Sequence, residues 1–176
     1  EGLSVYSFMK RRRKDLSTCE TENPVDAMDV RLLDLLQQDA RMKVSELSRR
    51  LNLSRPSVAE RMSRLADSGV IEGYTARVSL KAVGRDTLLI IRLSSLKVSP
   101  RIFEAKIESD QDILECHRVT GEVDYIIKAA VSSIDEMRHL IDRLMPFGDV
   151  STSIVILSPI SHRRVLPRTL EGRPAL

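Results

Sequence analysis

The stretch 44–69, VSELSRRLNLSRPSVAERMSRLADSG, decides the reading of the chain. Ser45 is placed to cap a short helix carrying Leu47 and Leu51, and Asn52-Leu53 breaks it. Ser54 then caps a further helix whose first turn holds Pro56, where a missing N–H costs nothing, and Gly69 stands where a left-handed residue ends it. Just upstream, Asp26 with Asp29 three residues on can cap a helix over about 27–39, with Leu32, Leu33 and Leu36 as its apolar stripe. Three helices in so short a span, with three or four residues between the second and third, have the spacing of a helix-turn-helix.

On a 3.6-residue wheel the third helix turns Val58, Met62 and Leu65 inward. Pro56, Ser57, Glu60, Ser63 and Arg64 point away, with Arg55 and Arg61 on the flanks. Between residues 41 and 64, Arg41, Lys43, Arg49, Arg50, Arg55, Arg61 and Arg64 face only Glu46 and Glu60. A local excess of that size points to a polyanion, and an outer face of Ser, Arg and Glu carries the donors and acceptors that read a DNA major groove.

Downstream of Gly69, residues 70–78 alternate around Gly73 and read as one or two strands. Residues 79–86 form a linker. The second half then alternates regularly: strand 87–94, helix from Ser99-Pro100 to about Ser109, strand 113–120, a turn at Gly121-Glu122, strand 124–131, a helix boxed by Ser133 and Glu136, and strand 150–157. This β-α-β-β-α-β order predicts an α+β chain whose second half is an antiparallel sheet with both helices on one face. The third of these strands is apolar on both sides, so its uncovered face calls for a second copy of the chain.

The remaining sequence bounds these readings. The chain has 176 residues, of which 42% are apolar, 30% charged and only 3% aromatic, with no Trp. That is globular composition, and the scarcity of rings counts against base-stacking platforms. Residues 1–25, with the run Lys10-Arg11-Arg12-Arg13-Lys14, read as a flexible basic arm, and 161–176 as a C-terminal tail. Cys19 and Cys116 lie far apart, which fits a reducing cytoplasm and neither a disulfide framework nor a zinc ribbon. Cys116 and His117 are neighbours on a strand and point to opposite faces, so they build neither a metal site nor a thiol–imidazole pair. No phosphate-binding glycine loop or nucleophile elbow is present. No catalytic residue, cofactor or metal is expected.

Taken in order, Asp26 to Leu36, Val44-Ser-Glu-Leu47, Leu53-Ser54, Val58, Arg61, Leu65, Gly69-Val-Ile71, Gly73-Tyr74 and Thr120-Gly121-x-x-Asp124 resemble the Lrp/AsnC family of transcription regulators over residues 26–160. The resemblance implies a winged helix-turn-helix over 26–78. It also implies an ACT-like, ferredoxin-like sensing and oligomerisation domain over 87–160, in cytoplasmic dimers that can assemble into octamers. It implies control of transcription at a pseudo-palindromic operator on double-stranded DNA, responsive to an amino acid or related metabolite. By position, Arg55, Pro56, Ser57, Glu60, Arg61 and Arg64 would contact DNA, and Thr120, Gly121, Asp124 and Thr152 the effector. Val123 stands where the family commonly has an aromatic residue.

A zwitterion needs an anion for its ammonium and donors for its carboxylate; Asp124 and the N–H groups beside Gly121 can supply them. Asp124 could equally pair with an arginine, and Gly121 could be no more than a tight turn. Two alternatives follow from the same resemblance. One is a sirohaem-decarboxylase-like enzyme, for which the second half offers His117, Arg118 and His139. The other is a largely non-specific DNA-architectural protein.

Overall fold

A computed structural model describes residues 25–167. The expected basic arm before Val25, Cys19 included, and the end of the expected tail after Pro167 lie outside the described residues. The described chain divides into two units, one formed by 25–74 with 164–167 and the other by 75–163, and each has its own apolar core.

Three helices build the first unit: α1 (Ala27–Gln38), α2 (Val44–Leu51) and α3 (Arg55–Asp67). Asp26 caps α1 in a reciprocal box, accepting from the Asp29 N–H while Asp29 accepts from the Asp26 N–H. This satisfies two donors that a helix start leaves orphaned. Ser54 caps α3 by accepting from the Ser57 N–H, Pro56 sits in its first turn, and Gly69 follows with φ +77°. These are the signals read from the sequence. Leu32, Leu33, Leu36, Leu47, Leu51, Val58 and Leu65 form the core, with Met62 packed against it.

Two local expectations fail here. Ser45 does not cap α2, which begins at Val44, with Lys43 two residues before Ser45 in the cap position and no side-chain cap. Residues 70–78 form no strand. Their alternation is real, but a strand needs a ladder neighbour, and the segment finds none among the described residues; Val70, Tyr74 and Val78 remain exposed. The returning chain adds a piece of its own. The Gln37 amide accepts from the Val165 N–H at 2.9 Å and donates to its carbonyl at 2.8 Å, while Arg164 pairs with Asp34 at 2.6 Å.

The second unit carries β1 (Thr87–Ser94), α4 (Pro100–Ile107), β2 (Ile113–Arg118), β3 (Tyr125–Val131), α5 (Ile134–Leu144) and β4 (Asp149–Ile154), the expected order. All neighbouring strands are antiparallel, in the order β2-β3-β1-β4. Leu89, Ile91, Leu93, Tyr125, Ile127 and Ala129 share a core with Phe103 and Ile107 of α4 and Leu140 and Leu144 of α5, so both helices cover one face. Alternation sends Leu88, Ile90, Ile126 and Ala130 to the opposite face, away from α4 and α5, where Ala130 is buried and the other three are half-buried. The linker segment closes as one 3₁₀ turn, Lys81–Val83, ended by Gly84 at φ +75°.

Gly148 precedes β4 where the chain crosses the end of β1. A Cβ there would lie 2.5 Å from the Ser94 carbonyl oxygen and 3.3 Å from that of Ser95, both backbone atoms that cannot swing aside. Gly148→Ala is therefore expected to destabilise this unit by about 1–3 kcal/mol, read by chemical denaturation. An unchanged midpoint would show that the crossing relaxes freely.

Candidate nucleic-acid interface and effector turn

The amino end of α3 is open to solvent: Arg55, Pro56 and Glu60 are exposed and Ser57 is half-buried. Val58 and Leu65, on the other side of the helix, are fully buried, so one face anchors α3 and the opposite face meets solvent. Part of the basic excess is consumed nearby. Arg49 and Arg50 both bind Glu46 at 2.7 Å, and their guanidinium groups hold its carboxyl down at about 2.

Arg61 and Arg64 are engaged differently from Arg55. Asp29, fully buried, accepts from Arg61 at 2.7 Å on Oδ1 and from Arg64 at 2.6 Å on Oδ2, and Arg61 also binds Asp26 at 2.7 Å. Burial works against the Asp29 charge, but the hydrogen bonds from Arg64, Arg61 and the Asp26 N–H outweigh it and keep its carboxyl below the usual range. Of the six side chains expected at DNA, α3 thus presents Arg55, Pro56, Ser57 and Glu60 outward and ties Arg61 and Arg64 to α1.

In the second unit the β2–β3 turn is closed by the Val119 N–H donating to the Asp124 carbonyl at 3.0 Å. Thr120 and Gly121 lie exposed at its tip, and Gly121 adopts φ +119° with open space where a Cβ would stand. Asp124 is half-buried. Its Oδ2 accepts from the Leu96 N–H at 3.0 Å, which ties the turn to the segment after β1, and among the described residues no arginine pairs with it. Thr152 is not beside them in this chain. On β4, which β1 separates from β3, it pairs in register with Ile91 of β1, and its buried hydroxyl has no hydrogen-bond partner among the described residues. A cavity of about 400 Å³ opens elsewhere, lined by Arg85, Lys106, Asp110, Asp112 and Arg143 among others, and none of the four expected effector residues lines it.

Residues 88–165 match the model of the Lrp/AsnC ligand binding domain, and residues 25–72 that of a winged helix-turn-helix DNA-binding domain. A leucine-responsive regulatory protein of Haemophilus influenzae is 32% identical over 159 residues, which are 86% of this chain and 90% of that protein. The chain belongs to the Lrp/AsnC family. Two solved structures fit it with a TM-score of 0.75. One is the Bacillus subtilis LrpC protein, 26% identical over 78% of this chain and 99% of its own. The other is a Neisseria meningitidis transcriptional regulator in complex with L-Met, 30% identical over 81% of this chain and 96% of its own.

As an Lrp/AsnC protein the chain is a DNA-binding transcriptional regulator with a winged helix-turn-helix unit and a ligand-binding α+β unit. Cys116 is half-buried on the helix-covered face, and burial pushes its thiol up to about 11, with the Glu104 charge adding to the effect. His117 projects from the other face. Among the described residues no cluster of His, Cys, Asp and Glu could hold a metal, and no helix is long and apolar enough to cross a membrane. Reading the sequence missed the Asp29 cluster. The signal was there: Asp29 lies on the same helix face as Leu32, Leu33 and Leu36, and a carboxylate on a buried stripe must have a cationic partner.

Proposed function

We propose that the exposed amino end of α3, with Arg55, Pro56, Ser57 and Glu60, reads base edges in the major groove of a double-stranded operator, and that an amino acid bound at the Gly121 turn adjusts this binding. The observation that carries the first part is a capped helix anchored by one apolar face, whose opposite face is open and polar. Dimers pairing through the half-buried Leu88, Ile90 and Ile126 would place two such helices at half-sites about 10 base pairs apart or a multiple of that. Light scattering should then give at least twice 19.9 kDa.

The effector reading rests on the open backbone at Gly121 and on the second carboxylate oxygen of Asp124, which makes no hydrogen bond in the described structure. Thr152 would join this site only from a neighbouring subunit. The Neisseria relative, whose structure is a complex with L-Met, supports an amino acid as the ligand class.

The test is selection of a randomised duplex pool by the full chain, followed by binding of the selected duplex with and without each of the twenty amino acids. A specific regulator favours its selected sequence over random DNA by about 10³-fold or more. Arg55→Ala should weaken selected-duplex binding by about 1–3 kcal/mol and relax one position of the site. A pool that stays random at physiological salt would favour the architectural alternative. Equal amino-acid binding by wild type and Asp124→Ala would overturn the turn as the site.

A further inference from the structure

We propose that Asp29 is a positioning residue for DNA recognition: through Arg61 and Arg64 it fixes the rotation of α3 on α1, and so decides which side chains of α3 face the groove. The inference rests on the reading of α3 as the DNA-reading helix. It gives Arg61 and Arg64 a role different from base contact.

The geometry is that of a two-point clamp. Arg61 and Arg64 are three residues apart, one above the other on α3 and about 4.5 Å apart along its axis. They bind different oxygens of one carboxylate, Arg61 on Oδ1 and Arg64 on Oδ2. That carboxylate is itself fixed to the first turn of α1 by the Asp26 N–H at 3.1 Å, where the helix end favours a negative charge. Asp26 adds a second carboxylate on Arg61. Apolar contacts of Val58 and Leu65 hold α3 in the core but are non-directional and tolerate rotation. The paired ionic hydrogen bonds do not, because they weaken steeply away from their preferred angles.

A base-reading arginine needs its guanidinium fork for the base. Here the Arg61 group spans two carboxylates, and turning it to a base would leave Asp29 charged, fully buried and short of one partner. Arg55 and Glu60, with no such tether, are the groups whose aim the clamp controls.

The experiment compares the full chain with Asp29→Asn, Arg61→Ala, Arg61→Lys and the Asp29→Asn/Arg61→Ala double variant, all below their melting transitions. The probe is the duplex selected by wild type, with a scrambled duplex as reference. Asp29→Asn makes the protein more positive, so electrostatics alone predicts tighter binding to both duplexes. Positioning predicts the opposite for the selected duplex: about tenfold weaker binding, with base preference relaxed at several positions together and scrambled-duplex binding not reduced. Arg61→Ala should show the same loss of preference for the selected over the scrambled duplex, on top of the equal weakening on both that its lost charge gives; the double variant should lose no more preference than the weaker single, and Arg61→Lys should recover most of it.

Unchanged or tighter selected-duplex binding by Asp29→Asn would overturn the proposal. So would an Arg61→Ala effect confined to one base position and additive with Asp29→Asn. If Asp29→Asn does not fold, Arg64→Ala, which removes the more exposed arm of the clamp, carries the comparison through the ratio of selected-duplex to scrambled-duplex binding, which a lost charge alone leaves unchanged. A wild type that selects no sequence refutes the reading of α3 itself, and is told apart because it fails before any variant is compared.

Discussion

Truncating both arms of the clamp, Arg61→Ala with Arg64→Ala, should destabilise the first unit by about 3 kcal/mol and lower its melting temperature by more than about 10 °C. Breaking a buried ion pair from one side typically costs about 3–5 kcal/mol, because it strands a charge out of water. Here the lower end applies: Arg64 is 44% exposed and Arg61 24%, so water enters the space they leave. Against a total stability of about 5–15 kcal/mol the loss is large.

The pH dependence of this loss identifies its origin. In wild type the Asp29 carboxyl is held below its ordinary value of 3.8, so its contribution is complete above that value and disappears as pH falls through the lowered one. In the double variant the Asp26 N–H remains but both arginines are gone, so burial pushes the same carboxyl up relative to wild type and its penalty is relieved as pH falls. Acidification from pH 7 to pH 3 should therefore narrow the gap between the two proteins, as measured by urea denaturation at each pH. A gap that stays constant would mean that the arginines act by packing alone.

How much of this was legible beforehand depended on how far apart in the chain the deciding partners lie. Ser54, Pro56 and Gly69 specify the ends of α3 within a few residues of one another, and the period-two runs at 87–94 and 125–131 need only their own side chains to be recognised. Such features read directly. The clamp joins residues 32 and 35 positions apart, so the helical wheel, which knows one helix at a time, left Arg64 facing solvent and Arg61 on a flank. Thr152 and the Gly121 turn illustrate the same limit, since only the strand order shows that β1 lies between β4 and β3. At residues 70–78 the alternation was seen but its ladder partner was not, and without one no strand forms.

Phe103→Ala is expected to cost the second unit about 3–5 kcal/mol while leaving the first unit's stability in place. The Phe103 ring is fully buried, 4.7 Å from the ring of Tyr125 and 5.5 Å from that of Phe147. It thus fills the space between α4, the start of β3 and the turn leading to β4. Tyr125 is held there also by its hydroxyl, which donates to Glu104 at 2.9 Å; burial and that bond push its phenol up to about 12. Asp124, the residue before it, bonds the Leu96 N–H, so a cavity beneath Tyr125 loosens the support of the Gly121 turn as well. The core around Phe103 shares no residue with the core around Leu32, and the two should respond separately. Amide exchange read by mass spectrometry should show faster opening of peptides from 89–144 and unchanged opening of those from 32–65. Equal acceleration in both sets of peptides would show that the two cores unfold as one.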